Sequence, residues 1–292
     1  MPVIGFDCPF KGKVSFEFCL ADAATHNQPC QFSYPILKGM VANEEKERTG
    51  IHVTSVLNCL RKVVLDQRHE LFVSPAQTYW AFRGQLAHAI VELAQTDDAV
   101  VEQTFTREVE DPASIGAEGI TIVGTPDVIY PDQGLLVDYK TTAMAPKKGP
   151  YPHHVLQVNI YRWLVQAHYR INRLEIVYLD MKGTVRVEVP LMTLKQVEEF
   201  VIPRAQVLKV GLEGGDLPSQ VGDEGRWQCW GYCSFSNHED CWGAGGPPER
   251  NRRESKGESR KRAIRKSYAE RSAKEKKKKV DSAEVADGHR EG

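Results

Sequence analysis

Apolar residues recur at helical spacing toward both ends of the chain and at strand spacing through its middle. Val56, Leu57, Leu60, Val63, Val64 and Leu65 predict a helix that carries Cys59, and a second apolar-periodic stretch runs from about Trp80 to Leu93. A strand is expected near 99–110. Between residues 118 and 142, two apolar runs are separated by Pro131-Asp132-Gln133-Gly134, the composition of a hairpin turn. A helix follows around Gln157, built on Val155, Val158, Trp163 and Leu164. Residues 173–190 alternate about Lys182-Gly183 as another hairpin, and a helix spans about Thr193 to Leu212. Residues 144–150, rich in Pro, Gly and Lys, read as a mobile loop whose Lys147 and Lys148 are either solvated or phosphate-binding. The order predicts an α/β (α+β) domain with a mixed sheet flanked by helices, and no internal repeat. Residues 1–50 follow no clear pattern.

Charge changes this picture at one end. The chain's net charge is −1, yet residues 250–279 hold fifteen Lys or Arg against four Asp or Glu, so that segment carries +11 and the remainder −12. With few apolar residues it is expected to be a disordered basic tail. Such a tail grips phosphate backbones without reading sequence, or acts as a solubilising segment or a contact for an acidic partner.

Candidate chemistry sits in the central hairpin. Asp127 stands beyond the first apolar run, and Asp138 and Lys140, two apart, project from one face of the next strand. Charged groups in so apolar a hairpin are unusual unless paired or bound to a ligand. Two carboxylates holding a hard divalent cation beside an ammonium suit phosphodiester hydrolysis. A same-face surface ion pair is the plainer reading.

Pro126-Asp127 followed by Asp138-Tyr139-Lys140 resembles the PD-(D/E)XK nuclease superfamily. Two further matches narrow the resemblance to its RecB-like branch, which includes the AddAB-type and CRISPR-associated adaptation nucleases. Gly84 to His88 looks like that branch's Gly-x-x-x-His helix, and Gln157 to Tyr161 like its Gln-x-x-x-Tyr helix, in the family's order along the chain. Gln157 and Tyr161, four apart, share a helix face, as do His88 and Glu92. The resemblance covers roughly residues 51–245. It implies a restriction-endonuclease-like fold and a Mg²⁺- or Mn²⁺-dependent deoxyribonuclease. The implied metal ligands are His88, Asp127, Asp138 and the main-chain carbonyl of Tyr139, with Lys140, Gln157 and Tyr161 positioning water or the nucleic-acid backbone. Glu92 is either a further metal-site residue or a surface carboxylate.

The chain contains seven cysteines, and Cys59, Cys229, Cys233 and Cys241 resemble the four thiolates of the branch's [4Fe–4S] variety, a staple joining the ends of the domain. Their late spacing, C-x3-C-x7-C, departs from the family's tighter C-x2-C-x5-C. A four-ligand Zn²⁺ site, with His238 able to replace one thiolate, and plain buried thiols remain open. Cys8, Cys19, His26 and Cys30 have the ligand types of a structural zinc site, without a paired Cys-x-x-Cys knuckle.

The resulting division is an N-terminal extension at 1–50, a nuclease domain at 51–245 and a tail at 246–292. No charged leader with an apolar core opens the chain, and no run approaches the ~18 apolar residues of a membrane span, so a cytoplasmic location is expected and no membrane partner. Absence of a Gly-x-x-x-x-Gly-Lys-Ser/Thr loop makes a helicase, or another recombination or CRISPR protein, the source of any unwinding. The function expected is exonuclease or single-strand and end processing of DNA in repair, recombination, phage DNA processing or CRISPR adaptation. The competing reading is an inactive nuclease-fold subunit that binds DNA or acts as a scaffold.

Overall fold

In the computed structural model, the described residues are 3–25, 30–44, 49–93, 96–110, 119–220, 228–229, 233–236 and 238–243. His26 and the basic segment 250–279 lie outside them. The N-terminal residues without a clear pattern form strands β1 (Val3–Cys8) and β2 (Gly12–Ser15) and helices α1 (Phe16–Ala24) and α2 (Tyr34–Glu44). Ser15 caps α1 by accepting the Phe18 N–H at 3.2 Å. β3 (Ile51–His52), α3 (Val53–Leu57), α4 (Leu60–Arg68), β4 (Leu71–Val73) and α5 (Pro75–Leu93) follow. β1 pairs antiparallel with β2 and parallel with β4, which ties the first residues to the body beyond residue 50.

The helix expected around Cys59 is two helices, not one. Asn58 and Cys59 are extended, and Cys59 is the N-cap of α4. Long-range hydrogen bonds stabilise the break: Cys59 N–H donates to Gln228 Oε1 at 2.7 Å, and Arg204 donates to the carbonyls of Val56 and Asn58, each at 2.7 Å. No local signal encodes partners this distant.

The strand expected near 99–110 also divides, into β5 (Val100–Val101) and β6 (Phe105–Val109), because Glu102 takes a positive φ of 50° between them. The central segment gives β7 (Ile120–Gly124), β8 (Val128–Tyr130) and β9 (Leu135–Thr141). β6 and β7 belong to a three-stranded sheet of order β3-β7-β6, whereas β5, β8 and β9 belong to a five-stranded sheet completed by β10 (Arg173–Asp180) and β11 (Gly183–Val189). Its order is β11-β10-β9-β8-β5, parallel only between β9 and β10, so the sheet is mixed as expected. The β8–β9 turn closes on Gly134 at φ 58°, a left-handed conformation that costs glycine little.

Helices α6 (Pro152–Val165) and α7 (Leu194–Leu212) cover the main core, α7 starting from a Thr193–Gln196 capping box. Alternation along β9 and β10 builds two faces: Leu136, Ile176 and Tyr178 pack with α6, while Val137, Val177 and Leu179 pack on the opposite side with Val91 of α5. A short helix α8 (Glu239–Trp242) brings Cys241 against Leu65 of α4. The loop after β9 is tied down, with Ala145 N–H donating to Asp180 Oδ2 at 3.0 Å and Thr142 N–H to the Leu179 carbonyl at 2.9 Å. Among the described residues, no helix is long and apolar enough to cross a membrane.

At Gly124 the backbone of β7 passes directly under α6. A Cβ there would lie 2.6 Å from Leu164 Cδ1, 2.9 Å from Val53 Cγ2 and 3.0 Å from Tyr161 Cε1. Gly124→Ala is therefore expected to destabilise the fold by about 1–3 kcal/mol through overpacking, seen as a lower urea midpoint with an unchanged slope.

Candidate catalytic centre

Leu136, Asp138 and Lys140 alternate along β9 toward α6, so an apolar strand delivers two charged groups into the core. Asp138 is completely buried. Lys140 Nζ pairs with Asp138 Oδ2 at 2.7 Å, while Asp138 Oδ1 receives no hydrogen bond among the described residues. Burial pushes the Asp138 carboxyl above the usual carboxylate range, opposed by the Lys140 charge. Burial works against the charge on Lys140 as well, but the attraction of Asp138 and then Asp127 outweighs it and holds the ammonium's pKa above its ordinary value.

Asp127 immediately precedes β8, where the chain has just left one sheet for the other. Its Oδ2 accepts the Tyr139 N–H at 2.5 Å, and its Oδ1 lies 3.2 Å from His88 Nδ1. His88, on α5, is also 2.7 Å from Glu102 Oε1. Hydrogen bonds to Asp127 and then Glu102 raise the His88 pKa to about 10 against a smaller opposing effect of burial. Potential ligand atoms of His88, Glu102 and Asp127 all lie within 4.8 Å of one another. Asp138 lies outside that trio but close enough that Asp127 and His88 both perturb its ionisation.

Glu102 is the residue that sequence reasoning missed. Glu92, the acidic residue considered there, is exposed on the last turn of α5. Glu102 carries no motif; its signal is its positive φ, visible only once the chain is folded.

This donor set fits a hard divalent cation. An imidazole and carboxylates converge, and the fully buried carboxylate beside them keeps Oδ1 without a hydrogen-bond donor among the described residues. Tyr139 directs its N–H toward the β8 edge, to the Asp127 carboxylate, and a strand residue's carbonyl points to the same edge as its N–H. β8 does not extend that far, since its pairing with β9 ends at Val128↔Val137.

Gln157 and Tyr161, both buried on α6, join through Gln157 Nε2 donating to Tyr161 Oη at 2.9 Å. Burial raises the Tyr161 pKa, and the charges of Lys140, Asp138 and Asp127 all act on its ring hydroxyl. The two α6 residues therefore stand over the same cluster.

The four cysteines of the expected staple come from opposite ends of the domain to one place. Cys59 caps α4, Cys229 and Cys241 are buried, and Cys233 is partly buried. Burial drives the Cys233 thiol up to about 12, with Cys229 and Cys59 close enough to add to the shift; Cys59 likewise acts on Cys241. His238 instead caps α8, its Nδ1 accepting the Asp240 N–H at 3.3 Å. Near the N-terminus, burial and the proximity of Cys30 and Cys8 raise Cys19 to about 11. His26 of that group lies outside the described residues.

A mixed sheet whose central strand carries Asp138 and Lys140 beside the His88–Glu102–Asp127 group suits a metal-dependent nuclease. The sequence profile of the PD-(D/E)XK nuclease superfamily matches residues 41–238, and the chain belongs to that superfamily. The CRISPR-associated exonuclease Cas4 of Saccharolobus solfataricus is 28% identical over 199 residues, covering 65% of this chain and 87% of that protein. The crystal structure of SSO0001 aligns with a TM-score of 0.48 at 22% identity, covering 69% of this chain and 91% of its own.

The imidazole's ionisation is directly measurable. Without metal, His88 should titrate near pH 10, and Asp127→Asn should bring it down toward 6.5, followed by NMR of the ring. Because the folded-state value is raised, the stabilisation from His88 is complete below about pH 6.5, its unfolded value, and is lost as pH rises through about 10.

Proposed function

We propose that the protein is a Mg²⁺- or Mn²⁺-dependent deoxyribonuclease acting as an exonuclease on DNA ends or single strands. The observation that carries this reading is the fully buried Asp138 carboxylate beside the His88–Glu102–Asp127 group, paired with Lys140 through Oδ2 and with no donor on Oδ1 among the described residues. A structural ion pair would satisfy the second oxygen as well; a metal site leaves it available.

His88, Asp127, Asp138 and the Tyr139 carbonyl would hold the cation, with Glu102 as an additional ligand or as the acceptor that orients His88. Bound there, a divalent cation lowers the pKa of a ligated water and neutralises charge on the scissile phosphate. Lys140, kept protonated by its two carboxylate neighbours, stabilises charge building on the phosphoryl oxygens and orients the attacking water. Gln157 and Tyr161 fix the backbone of the strand over this centre, Tyr161 remaining a neutral hydroxyl because its pKa is raised. To serve as a ligand His88 would have to give up its proton, so cation affinity would strengthen as pH rises toward 10.

Cys59, Cys229, Cys233 and Cys241 would hold a [4Fe–4S] cluster as a structural staple between α4 and the C-terminal segment. A four-ligand Zn²⁺ site is the competing occupant of the same thiols. Cys8, Cys19 and Cys30, with His26, remain a zinc site in this reading, in an N-terminal extension (1–50) attached to the nuclease domain (51–245). The tail (246–292) adds salt-sensitive grip on DNA through its +11 segment. Likeness to a CRISPR-associated exonuclease supports work in CRISPR adaptation in the cytoplasm, with a partner supplying unwinding.

Two measurements test these assignments. Asp127→Asn should lower Mg²⁺-dependent degradation of end-labelled DNA by roughly 10²-fold or more while DNA binding persists; undiminished degradation would remove the assigned centre. Anaerobically purified protein should be brown with about four iron atoms per chain, and Cys59→Ala should lose both colour and iron. A colourless, zinc-containing protein would reject the cluster.

A further inference from the structure

Beside Lys140 on the α6 face lies its register partner Tyr178, whose hydroxyl reaches the start of α6. Tyr178 Oη accepts the Tyr151 N–H at 3.1 Å and lies 3.0 Å from His154 Nδ1. All three groups are satisfied when the tyrosine hydroxyl donates to that nitrogen. Burial, the neighbouring His153 and Lys140 depress the His154 pKa to about 3, and burial and Lys140 lower that of His153. Both rings are then neutral aromatic surfaces at neutral pH and cannot serve as phosphate-binding cations.

The outer part of this array is accessible. Tyr151 is 40% exposed and stacks on His153 with centroids 5.8 Å apart and planes 21° apart, and His153 meets His154 at 4.1 Å. The loop entering it carries the exposed Lys147 and Lys148. The same helix then leads inward through Gln157 to Tyr161 over the cluster, and Lys140 is close enough to both imidazoles to act on their ionisation.

We infer that Tyr151, backed by His153, is a specificity-determining residue: a platform on which an unpaired base of the DNA strand stacks, while Lys147 and Lys148 hold the adjacent phosphates. The inference rests on the nuclease reading for the identity of the strand. An unpaired base offers its π-face to such a platform, whereas bases inside a duplex have both faces covered. Tyr178 is the positioning residue, holding the platform at a fixed height above Lys140.

The test uses single-stranded DNA carrying a fluorescent adenine analogue, bound to the full protein without added divalent cation so that no strand is cut. Wild-type protein should quench the analogue when it occupies one position near the site. Tyr151→Ala should abolish that quenching and weaken single-strand binding about tenfold, leave blunt-duplex binding changed by less than about twofold, and be rescued by Tyr151→Trp. Tyr178→Phe should weaken quenching with Tyr151 intact. Equal losses on both substrates, no loss on either, or a Tyr151→Trp protein as defective as the alanine variant would overturn the platform. Since quenching needs no cleavage, wild-type protein that binds and quenches but never cuts DNA would overturn the nuclease reading alone.

Discussion

The centre depends on a carboxylate kept in the wrong solvent. Asp138 is wholly buried, and the cost of a charge there is offset chiefly by Lys140, two residues along the same strand, and less by His88. Strand pleat places the two on one face, so the pair needs no distant partner to form. The same burial that opposes ionisation strengthens every interaction with a bound phosphate or ion, because the local dielectric is low. A surface Asp–Lys pair of identical geometry would be screened and contribute little.

Around that strand, two breaks in the sheets coincide. β5 and β6 part at Glu102, while β7 and β8 part just before Asp127, and in both cases the chain passes between the three-stranded and the five-stranded sheet. Glu102 N–H donates to the Asp127 carbonyl at 2.9 Å, so the breaks are joined side by side. Each frees a carboxylate from strand geometry and turns it toward His88. The acidic cluster is thus a consequence of sheet switching, and the positive φ of Glu102 falls at one of the two switches.

Much of this was legible in the chain. An apolar run after a turn marked β9, alternation marked β10 and β11, and four-residue spacing marked the shared face of Gln157 and Tyr161. Motif order was informative because each motif sits on the element type that its chemistry requires. Local patterns did not reveal the breaks. Val56 to Leu65 has continuous helical periodicity, yet Arg204 and Gln228 hold a bend at Asn58–Cys59 that also orients Cys59. Glu102 was invisible for a similar reason: its place in the cluster comes from a contact with His88 fourteen residues earlier and a backbone conformation uncommon for residues other than glycine. His88 itself was easier to place, since helical periodicity put it on α5 and the motif named it.

Electrostatics further divides labour along α6. Its inner residues Gln157 and Tyr161 are buried over charged groups, and its first turn carries two imidazoles that the field of Lys140 helps keep neutral. A protonated histidine there would compete with Lys140 for phosphate and repel any cation at the acidic cluster. Keeping those rings uncharged leaves the positive charge near the first turn of α6 to Lys140 and to the exposed lysines of the loop. A strand drawn along this path meets charge at its phosphates and aromatic surface at its bases, the two chemistries that a single-stranded polyanion presents.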